Sequence, residues 1–598
     1  MGAAYLMGEP PVGRDTPLDP PVTDPANATI ASLFDELADL YELDGAVVHR
    51  VLAYRNAAKS VREAPRSVAA MTREGKVTEL PGIGRTLEEK IEALLETGTI
   101  PAVEKLRARI PAGLVDLTRL PGLGPKRARK LFDELGIDSL ESLRAAAEGG
   151  KLRDVRGFGA KFEESVLAAF AAGVGDAPRP RVLLSKALDI GEGIIATLRE
   201  HPASDRVELA GSARRLTDAV KDLDIIATAS DPPALLAAFG ALDVIESSSS
   251  PGENAARATS HTGVSIDLRV VEPDQFGNLL QHFTGSARHN MALREAAVRK
   301  GLHVSEYGVL DDSTGETHRC ATEEEVYALL GLPWIPAELR EDRGELALRD
   351  GGVPALIEQA DLKGDLHMHT VLSDGRTTAE SMALEAREMG LEYIAITDHS
   401  ASHGFGNHVS PDALRAQIEA IRALDESLEG IRVLIGTETN IGTTGKPDYD
   451  DELLAQLDWV IGSVHTSFSM DSTAMTDRMV AAIEHPLIDA IGHPTGRKIE
   501  KRAPYAIDMD RVIEAAARTG TMIEINSAPD RRDLNDVNAR AAAQAGVLIV
   551  INSDAHGADT LFHTRWGVAT ARRAWLTKAD VANTLPWKKF APLRKRAR

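Results

Sequence analysis

The carboxy-terminal third constrains this chain most, because nearly every apolar run there ends on a metal-ligand type of residue. GDLHMHTVLSDG (Gly364–Gly375) opens it, and YIAITDHS, RVLIGTET, WVIGSVHTS, DAIGHPTG, TMIEINS and LIVINSDAHG follow, separated by helical stretches. Strand–helix alternation over 364–598 predicts a barrel of parallel strands, and such barrels place their active site at the C-terminal ends of the strands. In LHMH a period of two sends His367 and His369 to one face, with the carboxylates of Asp365 and Asp374 close in sequence. Reading the strand ends gives His367, His369, Asp374, His399, Glu438, His465, His493, Asp554 and His556, which uses six of the 17 histidines. A lone strand-end histidine is ordinarily a hydrogen-bonded structural residue; nine ligand-type residues at equivalent strand ends are not explained that way. They suit up to three Zn²⁺ or Mn²⁺ ions, with a carboxylate such as Glu438 bridging two of them. Clustered ions activate water and neutralise charge developing on a phosphate.

At 598 residues the chain is too long for one core, and 43% hydrophobic with 26% charged residues is the balance of a multidomain globular protein. The single cysteine, Cys320, excludes a disulfide framework and a Cys-rich zinc finger, and fits a reducing compartment. No apolar run approaches membrane-spanning length, and MGAAYLMGEPPVGRD lacks the layout of a signal peptide, so no membrane partner is expected. The net charge of −22 argues against a general affinity for nucleic acid, so any such contact rests on local basic patches.

Residues 1–28, with Pro10-Pro11 and Pro20-Pro21, read as a disordered tail. From Thr29 the spacing of Leu33, Leu37, Leu40 and Tyr41 is helical, and helical segments continue to about Ala172. Between them a short pattern recurs: LPGIG with Gly82 and Gly84, LPGLG with Gly122 and Gly124, and VRGFG ending at Gly159. Glycines permit a tight hairpin whose backbone N–H groups meet a phosphate at the start of the next helix. Lys126, Arg127, Arg129 and Lys130 follow the second copy. Three copies and a basic flank predict helix-hairpin-helix contacts to a DNA backbone, which position a protein without reading sequence.

From about 180 the character changes. VELAGSARR (Val207–Arg215) runs from a strand into a Gly-Ser turn; KDLDIIATA then alternates Asp222 and Asp224 with apolar neighbours, and VSIDLRVV repeats the arrangement around Asp267. If these strands are neighbours, three carboxylates converge and need cations; two Mg²⁺ (or Mn²⁺) ions completed by phosphate oxygens meet that need.

AGSARR, DLD, IDLR and FGNLLQHFTGSARHNMALREAAVRKGLHVSEYGVL resemble the family X DNA polymerases, over about Thr29–Leu339. The resemblance implies a helical lyase-type domain (29–110), a helix-hairpin-helix segment (111–175), an α+β nucleotidyltransferase palm (176–272) and a small thumb-like, nucleotide-selecting subdomain (273–340). It implies that Asp222, Asp224 and Asp267 hold the catalytic metals, that Ser212 and Arg215 contact the incoming triphosphate, that Phe283 and Gly285 border the nucleotide, and that Asn290 and Arg294 lie near the nascent pair and template. Lys90 matches the Schiff-base lysine of lyase-active members, implying a minor 5′-deoxyribose-phosphate lyase or AP endonuclease activity, although Asn56 and Thr86 replace residues that are often basic there. Lys221 before DLD and His282 before FTGS depart from the usual glycine and tyrosine, and neither removes a metal ligand.

After a linker over 341–363, residues 364–598 resemble the polymerase-and-histidinol-phosphatase (PHP) family, a distorted (β/α)7 barrel whose nine metal positions are all filled here. Arg497, His403 and His408 are candidates to touch substrate phosphate, and the basic tail WKKFAPLRKRAR is either a DNA contact or a solvated end. The two resemblances together imply a bacterial gap-filling DNA polymerase of base excision repair with a 3′–5′ exonuclease, taking dNTPs and gapped or primed DNA, monomeric, in the cytoplasm at the nucleoid. The rival readings are a phosphatase of the histidinol phosphate type and a DNA-binding scaffold with a decayed polymerase site.

Overall fold

Helices dominate the amino-terminal part of the computed structural model, which describes residues 24–597 apart from 119, 121, 172–180, 250–251, 350, 401 and 403–406. One unit spans the chain to Ala177 with Asp243–Glu246 and Thr259–Gly263; the other takes Pro178–Leu242, Ser247–Ala258 and Val264–Arg598. No helix among the described residues is long and apolar enough to cross a membrane.

In the first unit, α1 (Asn27–Leu43) packs on α2 (Val48–Glu63) through Ile30, Phe34, Leu37 and Leu40 against Val51, Tyr54 and Ala58, spaced three and four apart as one buried helical face requires. The predicted tail is two residues too long. Asn27 already lies in α1, buried, donating to the carbonyls of Ala64 and Arg66 and accepting from the Val68 N–H, so an amide side chain ties the helix start to the turn beyond α2. Residues 1–23 of that tail lie outside the described residues. The hairpin glycines Gly82, Gly122 and Gly157 have φ of 78°, 78° and 95°, a conformation that costs other residues a steric clash. Gly84 and Gly124 then cap α3 (Arg85–Thr97) and α4 (Pro125–Leu135).

In the second unit the palm sheet places β1 (Ser204–Leu209) antiparallel to β2 (Asp222–Ala229), and β2 parallel to β3 (Ser265–Val270). Beyond it, Glu323 is nearly fully buried between Arg214 and Arg340, and their charges hold its carboxyl down to about 2 against the upward push of burial. The stretch expected to be a linker is packed at both ends. Glu345 is buried on His289 (2.8 Å), which also bonds Tyr327, while Ile357 enters the barrel core.

The barrel has seven parallel strands in sequential order: β4 (Gly364–Asp365), β5 (Tyr393–Ile396), β6 (Arg432–Asn440), β7 (Trp459–Ser463), β8 (Ala490–Ile491), β9 (Met522–Asn526) and β10 (Ile549–Asn552). A parallel bridge from Met368 to Ala555 joins first to last. Tyr393, Trp459 and Met522, each at the start of its strand, form an interior cluster with Phe590. The carboxy-terminal segment therefore plugs the end opposite the strand-end ligands and is not a solvated end, although Lys588 and Lys589 stay exposed. The Phe590 ring lies 5.2 Å from Tyr393 and 5.7 Å from Trp459, while Lys595 and Arg596 bond carbonyls of Ile483, His485 and Leu457. Burying two aromatics and satisfying buried carbonyls outweighs hydration of the basic heads.

The barrel also grips the turn after β1. Arg532 donates to the carbonyls of Leu216 and Thr217 (both 3.0 Å), Arg573 to that of Arg215 (2.7 Å), and Arg497 pairs with Asp218 (2.7 Å).

Candidate metal centres

All nine strand-end residues converge at the C-terminal end of the barrel. Three overlapping groups each place one ligand atom per residue within 4.8 Å of the others: His369, Asp374, His399 and His556; His367, His369 and Asp554; His399, Glu438 and His465. His493 joins through Glu438 at 2.9 Å. Glu438 is the hub, facing His399 (2.9 Å), His465 (3.2 Å), His367 (3.4 Å) and His369 (3.6 Å) as well. Burial alone would raise its carboxyl, yet the His465, His367 and His399 imidazoles hold it well below the usual carboxylate range. His369, desolvated beside His399, is pushed down to about 4 and offers a neutral ring as a ligand must. His493 and Asp554 sit at φ of 27° and 54°, strained backbone of the kind that concentrates at working sites.

The donor set fits divalent cations. Both Glu438 oxygens, Nε2 of His367 and both ring nitrogens of His369 are buried without a hydrogen bond, an expense that ligation removes. Only nitrogen and oxygen donors are present, which suits Zn²⁺ or Mn²⁺.

Two supporting residues escaped the sequence reading. Glu524, fully buried on β9, accepts from Nδ1 of His367 (2.8 Å), the His493 N–H (2.7 Å) and the Asn552 amide (2.9 Å), fixing the tautomer that points Nε2 of His367 inward. Asp398 accepts from the N–H and hydroxyl of Thr370 (both 2.7 Å) and from Ser373 (2.6 Å), shaping the loop that delivers Asp374. The acidic residue inside the apolar run MIEIN was the available signal for Glu524. Asp365 turns away from the ligands: it accepts from the Ser553 N–H (3.1 Å), and burial pushes its carboxyl up to about 7. Arg497 is spent on Asp218, and His403 lies outside the described residues.

The palm is more open. Parallel register sets Asp224 directly opposite Asp267, and Asp222 opposite Ser265. Burial, then the charges of Asp222 and Asp267, push the Asp224 carboxyl up to about 6, the signature of carboxylates gathered without enough positive charge. Arg257 engages Asp267 through two hydrogen bonds (2.9 and 3.2 Å), a contact no local pattern announced. Among the described residues, the palm carboxylates do not reach the mutual closeness of the barrel groups. Gly211, at φ 66°, allows the turn carrying Ser212: a Cβ there would stand 2.2 Å from Oδ2 of Asp224.

Arg215, expected to contact the incoming triphosphate, keeps only 13% of its side chain exposed. Its guanidinium donates to the Thr284 carbonyl (2.6 Å) and pairs with Glu341 (3.1 Å), because the thumb offers acceptors where burial demands them. Phe283 lies under Arg269, and Gly285 faces Arg215. Asn290, donating to the His282 carbonyl (2.7 Å), and Arg294 line an open cleft of about 790 Å³ with His282. In the hairpins Lys126 is exposed, but Arg127 turns inward, bonding the carbonyls of Gly122 and Gly157 and stacking on Phe158 and Phe162, so it holds two hairpins together. Lys90 is half-buried on α3.

Family models match along the chain: a helix-hairpin-helix domain over 25–100, a SAM-like helix-hairpin-helix tandem over 114–172, the DNA polymerase beta thumb over 279–341 and the PHP domain over 365–528. The DNA polymerase/3′-5′ exonuclease PolX of Bacillus subtilis (strain 168) is 37% identical over 556 residues, covering 93% of this chain and 96% of that protein. The chain belongs to the PolX family. Probable phosphatases of Caldanaerobacter subterraneus subsp. tengcongensis and Thermoanaerobacter sp. (strain X514) are 35% and 33% identical, over 75% and 89% of their lengths but only 32% and 37% of this chain. A phosphatase alone thus leaves most of this PolX-family chain unaccounted for.

Proposed function

We propose that this PolX-family chain is a DNA polymerase coupled to a 3′–5′ exonuclease, filling gaps in base excision repair and trimming primer ends. One observation carries the reading: a single chain holds two separate ligand sets, the register-paired carboxylates of the palm and the nine-residue cluster of the barrel. Asp222, Asp224 and Asp267 would hold two Mg²⁺ or Mn²⁺ ions, and the nine barrel residues up to three Zn²⁺ or Mn²⁺ ions. When bound, these ions lower the pKa of an attacking oxygen and neutralise charge on the phosphate. Around them the side chains position and exclude water. Ser212 and the Gly211 turn would bring a nucleotide's phosphates beside Asp224, Asn290 and Arg294 lie along the cleft for the nascent pair, and Glu438, buried among five imidazoles, would help hold the barrel ions.

The domains divide as the motifs divide, at about 110, 175, 272, 340 and 363. Gly82, Gly84, Gly122, Gly124 and Lys126 meet the DNA backbone, with Arg127 supporting them from behind. Lys90 supplies a minor lyase activity. Gapped or primed DNA and dNTPs are the substrates of a monomer working at the cytoplasmic nucleoid. A labelled gapped-primer assay tests this reading. With dNTPs the primer lengthens by the gap size; without them it shortens from its 3′ end in the presence of Mn²⁺ or Zn²⁺. Failure of both reactions would refute it.

A further inference from the structure

The helix Thr564–Arg573 ends on two arginines that reach from the barrel to the end of the thumb. Arg572 pairs with Glu338 (2.8 Å) and Arg573 with Glu341 (3.0 Å), so consecutive guanidiniums of ARRAW meet consecutive acids of ELRE. Arg573 does more than pair. Its side chain, 8% exposed, also donates to the Arg215 carbonyl (2.7 Å) and reaches Asp536 (2.9 Å). The same Glu341 oxygen, Oε1, accepts from Nε of Arg215 (3.1 Å). One carboxylate oxygen is therefore shared by a palm guanidinium and a barrel guanidinium. Arg215 belongs to the turn that begins at Gly211, and its charge reaches the Asp224 carboxyl, opposing the upward push of burial, Asp222 and Asp267. Burial pushes the Arg215 guanidinium below its ordinary value; Glu341 opposes that push, and the charges of Arg573 and Arg340 add to it. Arg340 is itself committed to Glu323 and to the Ile335 carbonyl. Arg215 thus stands among like charges, beside the palm carboxylates, with a counter-ion it does not own. Those are surroundings in which a phosphate anion is a good partner for a guanidinium.

We propose that Glu341 competes with an incoming nucleoside triphosphate for Arg215, and that Arg573 weakens this competitor by sharing it. Arg573 is then a positioning residue for nucleotide addition, supplied by the barrel and acting through Arg215. The physical reason lies in what Arg215 leaves behind. Glu341 is only 18% exposed, and a carboxylate stripped of its partner in such a place is strongly unfavourable. With Arg573 in place, Glu341 stays paired when the triphosphate draws Arg215 away, and the Arg215 backbone stays anchored through its carbonyl. The proposal rests on the polymerase reading above.

The test is single-turnover filling of a one-nucleotide gap, read as the apparent Kd for the dNTP and the maximal rate. It compares the unaltered chain with Arg573→Gln, Glu341→Gln and the double variant, and melting temperatures check that each is folded. Arg573→Gln should raise the apparent Kd about tenfold, the scale of one charge-assisted hydrogen bond, with the maximal rate changed less than about threefold. Glu341→Gln should lower the Kd about threefold, and the double variant should return to within about threefold of the unaltered value, because both residues act on one arginine. A merely structural role gives another pattern: a higher Kd in both single variants and the highest in the double. That pattern, or an unchanged Kd in Arg573→Gln, would overturn the proposal. If Arg573→Gln does not fold, Glu341→Gln decides alone, a lower Kd supporting the proposal and an equal or higher one overturning it. If no form extends the primer, the unaltered chain included, the polymerase reading fails by itself. Calorimetric titration with dTTP and Ca²⁺ then decides: weaker binding by Arg573→Gln with tighter binding by Glu341→Gln supports the proposal, and any other outcome overturns it.

Discussion

The barrel and the palm both gather metal ligands, by opposite means. In the barrel, nine residues arrive at one end of a parallel sheet, and the hub Glu438 is only 1% exposed. In the palm, Asp222 is exposed, Asp224 faces Asp267 across two strands, and Asp267 is shared with an exposed arginine. On the proposed reading, a buried cluster of this kind would keep its ions. An open set of carboxylates with a surplus of negative charge is a site to be completed by ions that come and go with the substrate's phosphates. On the proposed reading the two halves would differ in how metal and substrate enter as well as in the reaction performed.

The largest effects come from removing one ligand set at a time. Asp267→Ala should lower nucleotide addition on gapped DNA at least ~10³-fold, several kcal/mol of charge stabilisation, with 3′-shortening retained. His369→Ala should do the reverse, both read from one denaturing gel. Gly211→Ala should reduce nucleotide addition by about 10²-fold, because its Cβ collides with Asp224 and its φ of 66° strains any other residue; the exonuclease serves as internal control, and equal loss of both activities would show that the damage reaches beyond the palm. Glu524→Gln should weaken barrel metal binding by about 10- to 100-fold, measured as metal retained after dialysis, with palm activity untouched. The smallest effect is Arg257→Ala. Solvent screens an exposed ion pair, so releasing Asp267 should lower the Mg²⁺ concentration for half-maximal extension by no more than about fivefold.

The convergence of the nine barrel residues was legible because β-strands impose a period of two and a parallel barrel brings every strand end to one face, so local pattern and global geometry agree. That the palm carboxylates lie on neighbouring strands was legible for the same reason, through DLD and IDLR. What escaped was held by distant partners. Arg257 is on another strand from Asp267, and Glu524 serves a histidine 157 residues away. Arg127 looked like a phosphate contact because its charge was visible while the carbonyl of Gly157, thirty positions on, was not. WKKFAPLRKRAR looked like a basic end because its charges outnumber its aromatics, although Trp587 and Phe590 decide where it goes. Arg215 was assigned to a triphosphate by resemblance, and its bonds to Glu341 and Thr284 follow from thumb packing that no motif encodes.

The central claim is that the two ligand sets are separate sites with separate metals. Metal content by plasma mass spectrometry, taken after dialysis on the unaltered chain, Asp267→Ala and Asp554→Ala, tests it most directly. The account predicts up to three tightly held ions in the first two proteins and loss of at least one of them in Asp554→Ala. Loss of the retained metal in Asp267→Ala, or full retention in Asp554→Ala, would contradict it.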